Sequence, residues 1–172
     1  MKSFVKFGLG TGSLVGLWNL SCFTIVSWVN EILSLNIPAA KIRAYSGLFG
    51  LIILILGIYF GMNELRKKQD RISYGAAVKT GISISLISAI LVAFFGFLYC
   101  TVINPGYATY MVKETENVLI AAKRSPEEIN QQLMKVRSFY STSSQVLQAL
   151  IVQSFAGIIG SLILGLFIRT KK

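Results

Sequence analysis

The stretch 44-AYSGLFGLIILILGIYFGM-62 contains no Asp, Glu, Lys or Arg, and its centre, Leu51–Leu56, reads LIILIL. About 20 apolar residues in a row is what an α-helix needs to cross the ~30 Å hydrocarbon core of a bilayer. Three further stretches have the same character: 7–29, 80–103 and 146–168 are also free of charged residues. Inside a bilayer every backbone N–H and C=O must be satisfied within the segment or a closed barrel, and charge-free runs of this length are helices. The expectation is therefore an all-α polytopic membrane protein. A single domain over 1–172 would form a four-transmembrane-helix bundle with spans of about 7–29, 44–62, 80–103 and 146–168.

Composition agrees. Of 172 residues, 53% are hydrophobic and 14% charged, and the mean hydropathy is +0.63. Soluble domains carry about 25% charge, so a water-soluble globule is excluded. A disordered chain is excluded too, because such chains lack apolar residues. Lys2 and Lys6 imitate the start of a signal peptide. The apolar run that follows outlasts the roughly 7–15 residues of a signal core. Asn19 also spoils a lipoprotein reading at Cys22, so the first span is expected to be an uncleaved helix.

The net charge of +10 is unevenly placed. The N-terminus, the 63–79 loop and the C-terminal tail hold ten of the seventeen basic residues, with Arg66, Lys67, Lys68, Arg71 and Lys79 the densest group. Glu64 and Asp70 are the acidic residues on that side, so it carries +8 against +2 on the other. Cytoplasmic loops are rich in Lys and Arg, which puts both termini in the cytoplasm. The Arg66–Lys79 cluster then sets topology and meets anionic lipid headgroups; recognition of a phosphorylated headgroup is the alternative. The cluster lacks interleaved aromatics and a domain of its own, so nucleic acid is not an expected partner.

Segment 104–145 joins spans 3 and 4 outside the cytoplasm. Asn104-Pro105-Gly106 is a turn signal. Ser125-Pro126-Glu127-Glu128 reads as a capped helix start, followed by Ile129, Leu133, Val136 and Tyr140 at helical spacing. Tyr110 or Met111, Val118 and Ala122 give a weaker stripe before it. Two short amphipathic helices are expected there, lying on the membrane surface or capping the bundle. Ser141 to Ser144 would cap the last span.

Membrane helices associate where small residues let backbones approach. Gly8, Gly12 and Gly16 form such a stripe in the first span. Gly57 and Gly61 serve the second, Gly81 and Ser85 the third, and Gly157, Ser161 and Gly165 the fourth. Packing within the chain is the plain reading, with the regular first-span stripe the candidate contact for a homo-oligomer. Asn19 beside Trp18 is expected to bond across helices.

Little in the chain points to catalysis. There is no histidine, which removes the usual general base and commonest metal ligand. Cys22 and Cys100 lie far apart in apolar runs. Gly8–Gly12, GLGTG, follows no strand and opens a membrane span, so it is not a phosphate loop. No span holds an ionisable group of the kind proton-coupled transport uses. No enzyme activity, cofactor or metal is expected. A structural or accessory role, with a membrane-protein partner or a homo-oligomer, is the first reading. A small transporter, channel or lipid-handling protein is the alternative, and an enzyme acting on a phosphorylated lipid is a third.

Several motifs together are familiar: Gly61-Met-Asn-Glu-Leu-Arg66, then Ser73-Tyr74-Gly75-Ala76-Ala77-Val78-Lys79-Thr80-Gly81, then Ile103-Asn104-Pro105-Gly106-Tyr107, and a glycine-rich last span ending in Arg169-Thr-Lys-Lys. The chain resembles the domain of unknown function (DUF) 4199 family over nearly its whole length. That resemblance implies a small four-span protein of Bacteroidota, hence a bacterial inner-membrane protein, and implies no activity. Gly106 stands where the family pattern often has an acidic residue.

Overall fold

A computed structural model of the chain describes residues 3–33, 39–69 and 72–169. Six α-helices follow one another: α1 Ser3–Leu33, α2 Ala39–Lys68, α3 Tyr74–Leu98, α4 Tyr107–Ala121, α5 Pro126–Phe139 and α6 Thr142–Ile168. A π-helical turn, Tyr99–Ile103, prolongs α3, and no strand occurs among the described residues. Among the described residues three segments are long and apolar enough to cross a membrane: Arg43–Lys68, Tyr74–Ile103 and Thr142–Ile168. The expected first span lies within α1, which is helical over Ser3–Leu33.

The helices outrun the apolar stretches because capping chemistry, not hydropathy, stops them. Ser73 accepts from the Ala76 N–H at 3.2 Å and starts α3 six residues before Thr80. Ser141 accepts from the Ser144 N–H at 3.4 Å and starts α6. These oxygens satisfy donors that a first helical turn leaves unpaired.

Helix α3 is the hub. It packs extensively on α6 and α1 and also touches α2, while α2 contacts α1 and α6. The interior mixes Leu54, Ile58, Met62 and Ile84 with buried Thr11, Ser46, Ser85, Ser88 and Ser161. Large apolar residues point outward instead: Leu14, Ile90, Phe155 and Phe167 are 60–76% exposed. Exposed apolar area on this scale marks a surface meant for lipid or a partner, and small residues inside are what membrane helices use to approach.

The glycines are where these helices meet. Gly8 lies against Ile87, Gly12 against the Ser88 backbone and Leu91, and Gly16 against Phe95. Gly57 faces Thr11, and Gly61 faces Ile84 and Phe7. Gly81 meets Met62 and Ser161, Gly157 meets Ser85, and Gly165 meets Val78 and Tyr74. The first-span stripe is thus covered by α3 of the same chain. The expectation that it offers a contact to a second copy is corrected: Ile87, Ser88, Leu91 and Phe95 already occupy it.

Helix α5 opens with a capping box, Ser125 Oγ accepting from the Glu128 N–H and the Glu128 carboxylate accepting from the Ser125 N–H, both at 3.3 Å. At the corner before it, Lys123 adopts φ 53°, and the Lys123 and Arg124 N–H groups bond the Ile120 and Leu119 carbonyls. This is the Schellman pattern, which usually has glycine at that place. Of the two alternatives the sequence leaves for the apolar stripe of α4, the structure takes Met111, but not Val118. Tyr107, Met111 and Leu119 are buried, whereas Tyr110 and Val118 are more than half exposed. The turn before α4 aims Tyr107 inward, and the rest of the helix follows that rotation.

Candidate functional site

A cavity of about 330 Å³ lies where α1, α2, α3, α4 and α6 converge, in the half of the bundle that carries α4 and α5. Val15, Leu20 and Phe23 of α1, Leu51 of α2, Val92 and Phe95 of α3 and Val152 of α6 line it. Glycines make the room. A Cβ added at Gly47 or Gly96 meets nothing within 4 Å.

Arg43, near the start of α2, is the one charged residue lining the cavity among the described residues. Its Nη1 donates to Gln145 Oε1 at 2.7 Å and its Nη2 to Gln148 Oε1 at 2.9 Å. Nη1 also reaches the Tyr107 hydroxyl at 3.5 Å. The guanidinium carbon stands 5.3 Å from the Tyr140 ring centre and 5.7 Å from that of Phe139. Gln145 and Gln148 sit three residues apart on the first turns of α6 and share a face. The amide nitrogens of both donate to the Phe139 carbonyl, at 2.9 and 3.0 Å. That carbonyl therefore orients both amide oxygens toward the arginine. Among the described residues every partner of Arg43 is neutral. A charge at a membrane helix end whose described partners are all neutral is a functional candidate by physical default.

Aromatic rings roof the site. Phe23, Tyr99, Tyr107 and Tyr140 follow one another with centres 5.4, 5.4 and 5.8 Å apart. The Asn104-Pro105-Gly106 turn builds this roof. The Asn104 N–H bonds the Tyr99 carbonyl at 2.7 Å, closing the π turn, and its side-chain amide donates to the Tyr99 hydroxyl at 3.1 Å. π turns are frequent at functional sites. Burial pushes the Tyr107 phenol up to about 12, although the neighbouring Arg43 pulls the other way.

Polar pairs lie deeper. Ser46 Oγ donates to Asn19 Oδ1 at 2.7 Å, and Trp18 Nε1 donates to the Ser46 carbonyl at 3.2 Å. Asn19 is thus bonded across helices, as its neighbour Trp18 is. Gln153 Nε2 approaches Ser88 Oγ at 3.4 Å at the far end of the cavity. Among the described residues no group of three His, Cys, Asp or Glu is placed to hold a metal ion.

The basic residues singled out from the sequence lie at the other pole. Arg66, Lys67 and Lys68 form the last turn of α2, and Lys68 pairs with Glu64 at 2.6 Å. Lys79 is exposed on α3. Arg71 lies outside the described residues. The length of α2 separates Arg43 from Arg66 by roughly 35 Å, at ~1.5 Å per residue. Sequence reasoning treats Arg43 only as a loop charge. The available signal was the run Gln145, Gln148, Gln153 in an otherwise apolar span.

Residues 6–170 match the model of the family described as protein of unknown function, DUF4199. The chain belongs to that family. No curated protein and no solved structure matches it. In this DUF4199 member, the motifs behind the resemblance have visible structural work. Ser73 caps α3, the Tyr74 ring lies on Gly165 and its hydroxyl donates to the Leu162 carbonyl at 3.3 Å. The Asn-Pro-Gly-Tyr segment places the two tyrosines over the cavity.

Proposed function

We propose that this DUF4199 protein is a non-enzymatic, four-span protein of the bacterial inner membrane that holds a small membrane-borne molecule between its helices. The observation that carries this reading is the cavity: apolar walls, a volume of about 330 Å³, and one arginine fixed at its rim by neutral partners. Sites for small molecules are concave, mostly apolar and carry a few placed polar groups, and begin near 300 Å³. The lining groups are suited to binding; they do not pair a nucleophile with a base. Helix α1 acts as the fourth span. Arg66, Lys67, Lys68, Arg71 and Lys79 face the cytoplasm with both termini and meet anionic lipid. The cavity then opens toward the outer leaflet, with α4 and α5 as its lid. Exposed Val118, Ile120 and Met134 on that lid favour a second role, contact with the membrane surface or with a membrane-protein partner.

The test is native mass spectrometry of the protein extracted from bacterial membranes in mild detergent. A bound organic molecule is expected on the wild type and absent from Gly96→Leu, whose side chain would occupy the cavity. Ligand-free spectra from both proteins would overturn the reading.

A further inference from the structure

The chemistry of the cavity narrows what it holds. The guanidinium of Arg43 has five N–H donors in a planar fork. Three are directed at Gln145, Gln148 and Tyr107, which leaves one on Nε and one on Nη2 among the described contacts. Those two nitrogens form one edge of the group, the edge that grips two oxygens of an anion side by side. The Gln amides, tied to the Phe139 carbonyl, hold the guanidinium in place. An anion binding there meets a preorganised donor pair.

Charge and the shape of the wall narrow the anion further. Among the described residues no other lining residue is charged, so the site matches a single negative charge. A phosphate monoester brings nearly two, and the second would stand uncompensated in a medium of low dielectric constant. The remaining wall is mostly apolar, with Asn19 and Gln153 its deeper polar side chains, and runs along α6 from Gln145 to Gln153 over roughly 12 Å at ~1.5 Å per residue. A volume of about 330 Å³ is at the small end of small-molecule sites, the scale of one chain.

Taking the cavity as a binding site, as proposed above, we infer that its ligand is a medium-length, single-chain amphiphile bearing one carboxylate, with the carboxylate on Arg43 and the chain running toward Gln153. Gly47 and Gly96 leave the space for that chain, and the Tyr99–Tyr107–Tyr140 roof closes over the head.

The experiment measures radiolabelled decanoate on the detergent-purified full-length protein, competed by decanol, decyl phosphate and decyltrimethylammonium at equal concentrations. Decanoate is expected to outcompete decanol, its neutral analogue, by at least about tenfold, the scale of a charge-assisted bond pair, and to outcompete the other two by more. Arg43→Gln should remove the preference for decanoate over decanol while decanol binding persists. Gly96→Leu should remove both. The wild-type ranking alone decides the matter if Arg43→Gln fails to fold. Decanol binding as well as decanoate, or decyl phosphate binding better, would overturn the carboxylate assignment and leave the cavity reading standing. No binding of any chain would overturn both.

Discussion

Arg43 is a cation whose partners among the described residues are two amide oxygens, a phenol and two aromatic faces. Its neighbour Tyr107 gives a measurable consequence. The fold holds this phenol neutral by burial, raising its pKa from 10.0 to about 12. A raised pKa contributes stability that is complete below the unfolded value and is lost as pH climbs through the folded one. Stability should therefore fall between pH 10 and about 12, and Tyr107→Phe should flatten that fall; thermal unfolding in detergent across this window checks it. Gly12 supplies a steric test. A Cβ there would stand 2.8 Å from the Ser88 Cα, a backbone atom that cannot step aside, whereas at Gly10 it meets nothing within 4 Å. Gly12→Leu should cost on the order of 1–3 kcal/mol as overpacking, and Gly10→Leu nearly nothing. Equal melting temperatures for the two variants would contradict the close approach of α1 and α3. At this scale the glycines were legible as small residues at regular spacing. Their partners were not, because spacing along one helix carries no information about which helix it meets.

Among the elements, α5 was the most legible, since Ser125, Pro126 and Glu128 carry their instructions locally. Ser125→Ala removes one arm of the capping box and should cost about 1 kcal/mol. Faster amide hydrogen exchange in the first turn of α5, with α3 and α6 unchanged, is the expected readout. The sequence leaves the apolar stripe of α4 open between Tyr110 and Met111, and the structure buries Met111 while exposing Val118. The apolar residues of that helix permit two rotations, and the aromatic stack of Tyr107 between Tyr99 and Tyr140 selects one of them. The helix limits shifted likewise, because Ser73 and Ser141 cap outside the apolar runs they serve. The last segment of α3 became a π turn, which a hydropathy profile registers only as more span.

For the whole molecule, the uneven charge predicts orientation. Neutralising Arg66, Lys67, Lys68 and Arg71 together should weaken or scramble insertion. A reporter fused at Lys172 should then be found on both sides of the membrane; a reporter that stays cytoplasmic would argue against this cluster as the topogenic signal. By itself the sequence determined a chain of apolar helices and the caps that start them; among the described residues three are long and apolar enough to cross a membrane. Those properties are local, set by the hydrophobicity, hydrogen-bonding chemistry and periodicity of neighbouring residues. Only the tertiary structure decided that Arg43 meets Gln145 and Gln148, 102 and 105 positions away, and that glycines on different helices leave a cavity beside it. A contact of that range depends on how α2 and α6 pack around α3. That packing follows from the joint fit of all the helices, and no single stretch of residues encodes it.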